Sequence, residues 1–226
     1  MPKEKISLLR NWISSNQKAI DEFEVGAQKP YYIRQYGNML FDDKVLPPFY
    51  REAWKTVYVL LSRAKISAID NDLQQSILDI MTCYRFGQHY MAPKPLNEQL
   101  MGLGIQKKVL ETAFLILNRV SVGEPWLKML QVELEKISEK SVAVIDFSGE
   151  RLIVHDIIQR TFTDDGTGGG HIPPSAIRYL MIDPSYAKYG DKEWKTLDRR
   201  ETTRCVNDIF AYLVSMQSRT PSGIET

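Results

Sequence analysis

The densest gathering of chemistry-bearing residues is the run TFTDDGTGGGHIPPS at 161–175, where Asp164, Asp165 and His171 stand among four glycines. A phosphate loop needs a Lys for the phosphates and a Ser or Thr for magnesium after its glycines. Here Gly170 is followed by His171, Ile172 and Pro173, and Pro173 and Pro174 remove backbone donors that an anion would use. As an EF-hand loop opening at Asp165, the run puts Thr167 third, Gly169 fifth and Gly170 sixth. Ala176 then stands twelfth, in place of the bidentate glutamate. Weak calcium binding through Asp164, Asp165 and His171 is the most this loop offers a metal. The bland alternative is a flexible joint between the main helical bundle and the C-terminal helices.

A second set pairs arginine with histidine four residues on: Arg85 with His89, and Arg151 with His155. At that spacing the two side chains share a helix face, where they contact RNA phosphates or serve as a nuclease's acid. The spacing is shorter than the Arg-x4–6-His pattern of helical ribonuclease domains. No HExxH zinc motif and no GxSxG elbow occurs, and the acids are dispersed. Cys83 and Cys205 are far apart and outside any CxxC pair, so each reads as a small hydrophobe. Arg199, Arg200 and Arg204 in LDRRETTR oppose the dipole of the helix they open, which calls for a compensating carboxylate or anion.

The elements that position these residues are helical. Of 226 residues, 43% are hydrophobic, enough for a core without disulfides or a structural metal. Lys+Arg 29 against Asp+Glu 28 argues against general nucleic-acid binding. No apolar run is long enough to span a bilayer, and MPKEKISLLRNW turns polar too soon for a signal peptide, so the chain as given reads as soluble. Ile6, Leu9, Ile13, Ile20 and Phe23 fall on one helical stripe that stops at Gly26. An aromatic link with Tyr31, Tyr32 and Tyr36 follows and reads as an ordered loop against the helices.

A helix over 48–69 and another from 73 form an antiparallel hairpin, with Asp70, Asn71 and Asp72 as N-cap candidates. Ala64, Ala68 and Gly87 are expected to let its two backbones approach. Leu96, Leu100, Leu103, Leu110, Phe114 and Leu117 keep the helical rhythm to residue 120, and Pro125 opens a fifth helix. Residues 141–162 alternate at first like a strand, yet Val144, Phe147, Leu152, His155 and Ile158 favour one long helix. Beyond the glycines come a short helix over 175–182 and an irregular stretch. A last helix is capped by Asp198 and Glu201, with Val206, Ile209, Phe210, Leu213 and Met216 as its stripe.

The order NQKAIDEFEVGAQKP, RAKISAIDNDLQQSILDIMTCYRFGQHY, LNEQLMGLGIQKKVLETA, then SGER and RTFTDDGTGGGH resembles a family of uncharacterised bacterial proteins of planctomycete-like organisms. The resemblance covers most of residues 8–175 and implies helical-hairpin domains, usually behind one N-terminal membrane anchor. It implies an extracytoplasmic setting if such an anchor precedes this chain. It carries over no activity and no functional residues.

The expectation is therefore an all-α protein of helical hairpins, packed as a bundle or short irregular superhelix, with a Gly-rich loop before C-terminal helices. A helical-hairpin domain spans 1–163, the loop and C-terminal helices 164–218, and a disordered tail 219–226. The leading function is non-enzymatic: a surface offered to a protein or peptide partner, with Tyr31, Tyr32 and Tyr36 as binding residues and no cofactor. The competing reading is a hydrolase, for example a nuclease, built on His89, His155, Arg85 and Arg151 with the Asp164/Asp165/His171 loop.

Overall fold

The computed structural model describes residues 3–32, 48–91, 93–120, 122–138, 145–173, 176 and 197–217. Among them the chain is all-helical, with eight helices and no strand. The helices are α1 (Lys3–Ser15), α2 (Gln17–Ala27), α3 (Pro48–Ile69), α4 (Leu73–Gln88), α5 (Leu96–Leu117), α6 (Glu124–Ser138), α7 (Ser148–Thr161) and α8 (Arg199–Gln217). No described helix is long and apolar enough to cross a membrane. Tyr36, the short helix expected over 175–182 (apart from helical Ala176) and the tail at 219–226 lie outside the described residues.

The chain packs as two units. The first comprises Met1–Ile33, Leu46–Ala92 and Asn97–Ala143; the second comprises Arg34–Val45, Pro93–Leu96 and Val144–Thr226. The packing boundary thus falls before α7, whereas the sequence reading divided the chain after 163. The reason is that α7 buries its apolar side against the glycine-loop segment and α8: Ile158, Phe162, Ile172 and Ala176 form one cluster, with Val154 and Val206 against it. Phe147 meets Phe210 at 6.4 Å between ring centroids.

In the first unit the hairpin α3–α4 is the frame. Asn71 takes φ 65°, the left-handed turn conformation that asparagine tolerates, and the Asp72 carboxylate caps α4 by accepting from Gln75 N at 3.1 Å. Cys83 Sγ lies 3.9 Å from Val57 O and Arg63 bonds Asp79, so residues rise on one helix as they fall on the other. Val57, Leu60, Leu61, Ala64, Ala68, Ile77, Ile80, Met81 and Cys83 fill the seam. The helix expected over 6–26 is broken at Asn16, whose side chain donates back to Trp12 O at 2.8 Å.

Gly87 acts elsewhere than expected. It opens the contact of α4 with α5 instead of α3: a Cβ built on Gly102 would stand 2.6 Å from Gly87 O and 2.9 Å from Tyr90 Cβ. α6 is tied to α4 by Trp126, whose indole N–H donates to Leu73 O at 3.2 Å.

One polar network crosses this core. Arg63 on α3 donates through Nε to both Asp79 oxygens, at 3.1 and 2.9 Å, and through Nη2 to Glu24 on α2. Gln75 Nε2 adds a bond to Asp79 at 2.9 Å. Burial pushes the Asp79 carboxyl up against the pull of Arg63 and Gln75. Burial also opposes the Arg63 charge, but the two carboxylates outweigh it and its guanidinium stays protonated.

Candidate functional site

Helix α5 is apolar on two opposite sides. Its inner side buries Met101, Ile105, Val109, Ala113 and Ile116 in the first unit's core. Leu100, Leu103, Leu110 and Phe114, which carried the helical rhythm in the sequence, lie on the other side, whereas Leu117 packs against the core. Leu100 is 53% exposed, Leu110 38% and Phe114 65%, with Leu103 half-buried and Lys107 exposed between them. From Leu100 to Phe114 the steps alternate three and four residues, the spacing of a coiled-coil seam.

The neighbouring helix extends this surface. Trp54 and Tyr58 on α3 stack at 5.5 Å between centroids, and the Trp54 indole reaches α5 because Gly104 has no side chain. A Cβ there would stand 3.3 Å from Trp54 Cζ2. Tyr58 is exposed. Lys65 is seven residues beyond Tyr58; burial, then the charges of Lys108 and Arg119, press its ammonium pKa down. Lys108 bonds Glu111 at 3.1 Å, while Lys65, Lys107 and Arg119 make no ion pair among the described residues.

The glycine loop is a closed and tethered element, not the flexible joint expected. Thr163 N donates to His171 O at 2.8 Å and Asp165 N to Gly169 O at 3.2 Å. Gly166, Gly168 and Gly170 take φ of 77°, 87° and 149°, which suits residues without a Cβ. Asp164 accepts from Gly166 N at 2.8 Å, and Asp165 Oδ1 accepts from Thr167 N, Gly169 N and the Thr167 hydroxyl. The loop then latches onto the start of α8. Asp164 pairs with Arg199 at 2.8 Å, Arg200 donates to Thr167 O, and Arg199 N donates to Gly170 O at 2.9 Å. Asp198 caps α8 by accepting from Arg200 N and Glu201 N at 2.9 and 3.0 Å.

These bonds hold all three carboxyls below the usual carboxylate range. The leading cause is the backbone N–H of Gly166 for Asp164, of Thr167 for Asp165 and of Glu201 for Asp198. Of the arginines that oppose the α8 dipole, Arg199 and Arg200 thus find partners in the loop, and Arg204 lies 3.8 Å from Glu201 of α8 itself. His171 Nδ1 lies 3.3 Å from the Thr163 hydroxyl. Among the described residues no three His, Cys, Asp or Glu side chains are grouped to hold a metal ion.

The arginine–histidine pairs belong to different units, and each is engaged locally. Arg85 bonds Glu133 of α6 at 2.6 Å, and His89 Nε2 meets Lys29 O at 2.8 Å. Arg151 and His155 of α7 both reach Asn207 Oδ1 of α8, at 2.8 and 3.1 Å. Tyr31 is 70% exposed, and Tyr32 packs on Tyr90 at 5.7 Å. Both cysteines are free; Cys83 is buried, with its thiol pKa pushed up by burial, and Cys205 is exposed.

No protein-family model, curated protein or solved structure matches the chain. Sequence reasoning missed the outward face of α5 and the Trp54–Tyr58 stack beside it. The available signal was an excess: α5 carries more apolar residues than one buried face accommodates.

Proposed function

We propose that this protein is a non-enzymatic helical scaffold that presents the outer face of α5 to a protein or peptide partner. The observation that carries this reading is the exposed row Leu100, Leu110 and Phe114, on a helix whose opposite side is already buried in the core. Covering such side chains gains on the order of 1–2 kcal/mol apiece. Aromatic anchors such as Trp54 and Tyr58 are the types that dominate interface energies. The Arg85, Arg151 and His155 side chains, by contrast, serve as ties between helices, and His89 meets the Lys29 carbonyl beyond the end of α2.

The test is a photo-crosslinking residue at position 114 in the full chain, expressed in its native host. A discrete protein adduct is expected, and it should disappear in Leu110→Asp/Phe114→Asp, whose melting temperature stays within about 2 °C of the parent because both sites are exposed. Absence of any adduct, or adducts that persist unchanged in that variant, would sink the proposal.

A further inference from the structure

The start of α5 lacks a cap of its own. MAPKP, residues 91–95, leads into the helix without a Ser, Thr, Asp or Asn, and the Pro95 side chain has no acceptor for the N–H groups that a first turn leaves without helical partners. The acceptor comes from a residue 54 positions away: Leu96 N donates to Glu150 Oε2 of α7 at 2.9 Å. A carboxylate in that place also complements the positive end of the α5 dipole. Beside it, Gly149 presses on the backbone of Lys94, where a Cβ would stand 2.6 Å from both the carbonyl carbon and its oxygen. Gly149 and Lys94 are buried. All four residues lie in the second unit, which takes in Pro93–Leu96, although α5 continues in the first unit from Asn97.

We infer that Gly149 and Glu150 form a clamp through which the second unit regulates the proposed binding face, by holding or releasing the first turn of α5. This rests on the reading of α5 as a binding face. Leu100, the first residue of the exposed row, stands one turn after Leu96. The clamp is as firm as α7, and α7 is held by α8: Phe147 meets Phe210, and Arg151 and His155 reach Asn207. The glycine loop in turn latches the start of α8 through Arg199 and Arg200. Loosening this set shifts the population in which the first turn of α5 is formed. Release frays the helix from the Leu100 end, while Leu110 and Phe114 keep their place.

The experiment reads amide hydrogen exchange by NMR in the full chain, and crosslinking at positions 100 and 114 in the native host. Glu150→Ala is expected to speed exchange of the Leu96 and Leu100 amides about five-fold, the loss of one typical cap, and to leave Ile77–Cys83 on α4 unchanged. Glu150→Gln keeps an acceptor oxygen and should stay within about two-fold of the parent. Gly170→Ala acts on the glycine loop and should speed the same two amides, a response that a purely local cap does not give. The adduct at position 100 should fall at least about two-fold in Glu150→Ala, while the adduct at position 114 persists.

Unchanged exchange at Leu96 and Leu100 in Glu150→Ala overturns the clamp, and an adduct at position 114 in the parent then leaves the proposed function standing. Faster exchange in Glu150→Ala with no response to Gly170→Ala reduces the bond to a local cap and overturns the regulation. An adduct at position 100 that is equal in parent and Glu150→Ala overturns it too. Should Glu150→Ala fail to fold, the Gly170→Ala exchange decides alone. Absence of any adduct in the parent removes the binding face, and its regulation with it, even where exchange responds as expected.

Discussion

Ser76 and Arg63 show how a buried polar group acts according to its partners. The Ser76 hydroxyl is fully buried on α4 and has no hydrogen-bond partner among the described residues. Such a group costs stability, so Ser76→Ala should raise the unfolding free energy by about 1 kcal/mol in urea titration. A loss of that size would reveal a partner for the hydroxyl. Arg63 is the opposite case, with Glu24, Asp79 and Gln75 gathered around it. Arg63→Ala or Asp79→Ala strands a buried charge and should cost about 3–5 kcal/mol, whereas Arg63→Met/Asp79→Leu should recover most of the loss. A single variant costing under about 1 kcal/mol would show that water already reaches the network. The sequence displayed each of these charges, but nothing in it linked residue 24 to 63 and 79, since that link needs three helices in contact.

Among the elements, the hairpin α3–α4, its Asp72 cap, the opening of α6 and the Asp198 cap of α8 were legible, because caps and periodicity act over a few residues. Two readings failed for one reason: local pattern shows that a face is apolar but not what covers it. Gly87 was assigned to the hairpin and serves α5 instead. On α8, Val206, Phe210 and Leu213 turn inward while Ile209 and Met216 remain exposed. The glycine loop was read as a joint, since its ties to Arg199 and Arg200 are non-local. A Cβ at Gly170 would collide with the Thr163 carbonyl. Gly170→Ala should therefore open the loop, destabilise the second unit by about 1–3 kcal/mol and shift the amide signals of Gly166 and Gly168. An unchanged spectrum would show that the loop closes without that contact.

Across the whole molecule, the two units carry different electrostatics and should respond differently to acid. In the second unit Asp164, Asp165 and Asp198 are held below their unfolded value near 3.9. A depressed folded pKa gives stability that is complete above the unfolded value and lost as pH falls through the folded one. In the first unit Asp79 is raised while Glu52 and Glu133 are lowered, so the contributions partly offset. Lowering pH from 6 to 3 should therefore shift and broaden the amide signals of Gly166, Gly168 and Gly170 before those of Ile77–Cys83, and Asp164→Asn should lessen the effect. Simultaneous loss in both units would count against this account.

By itself the sequence determined an all-helical chain, the bounds of α3 and the caps of α4 and α8, since these follow from backbone geometry within a turn or two, whereas the one long helix expected over 141–162 begins only at Ser148. Only tertiary packing decided that α7 joins α8, that the glycine loop is latched by two arginines, and that the leucine row of α5 faces outward. Those outcomes depend on which of two apolar faces finds the larger partner, and burial is settled between elements far apart in the chain.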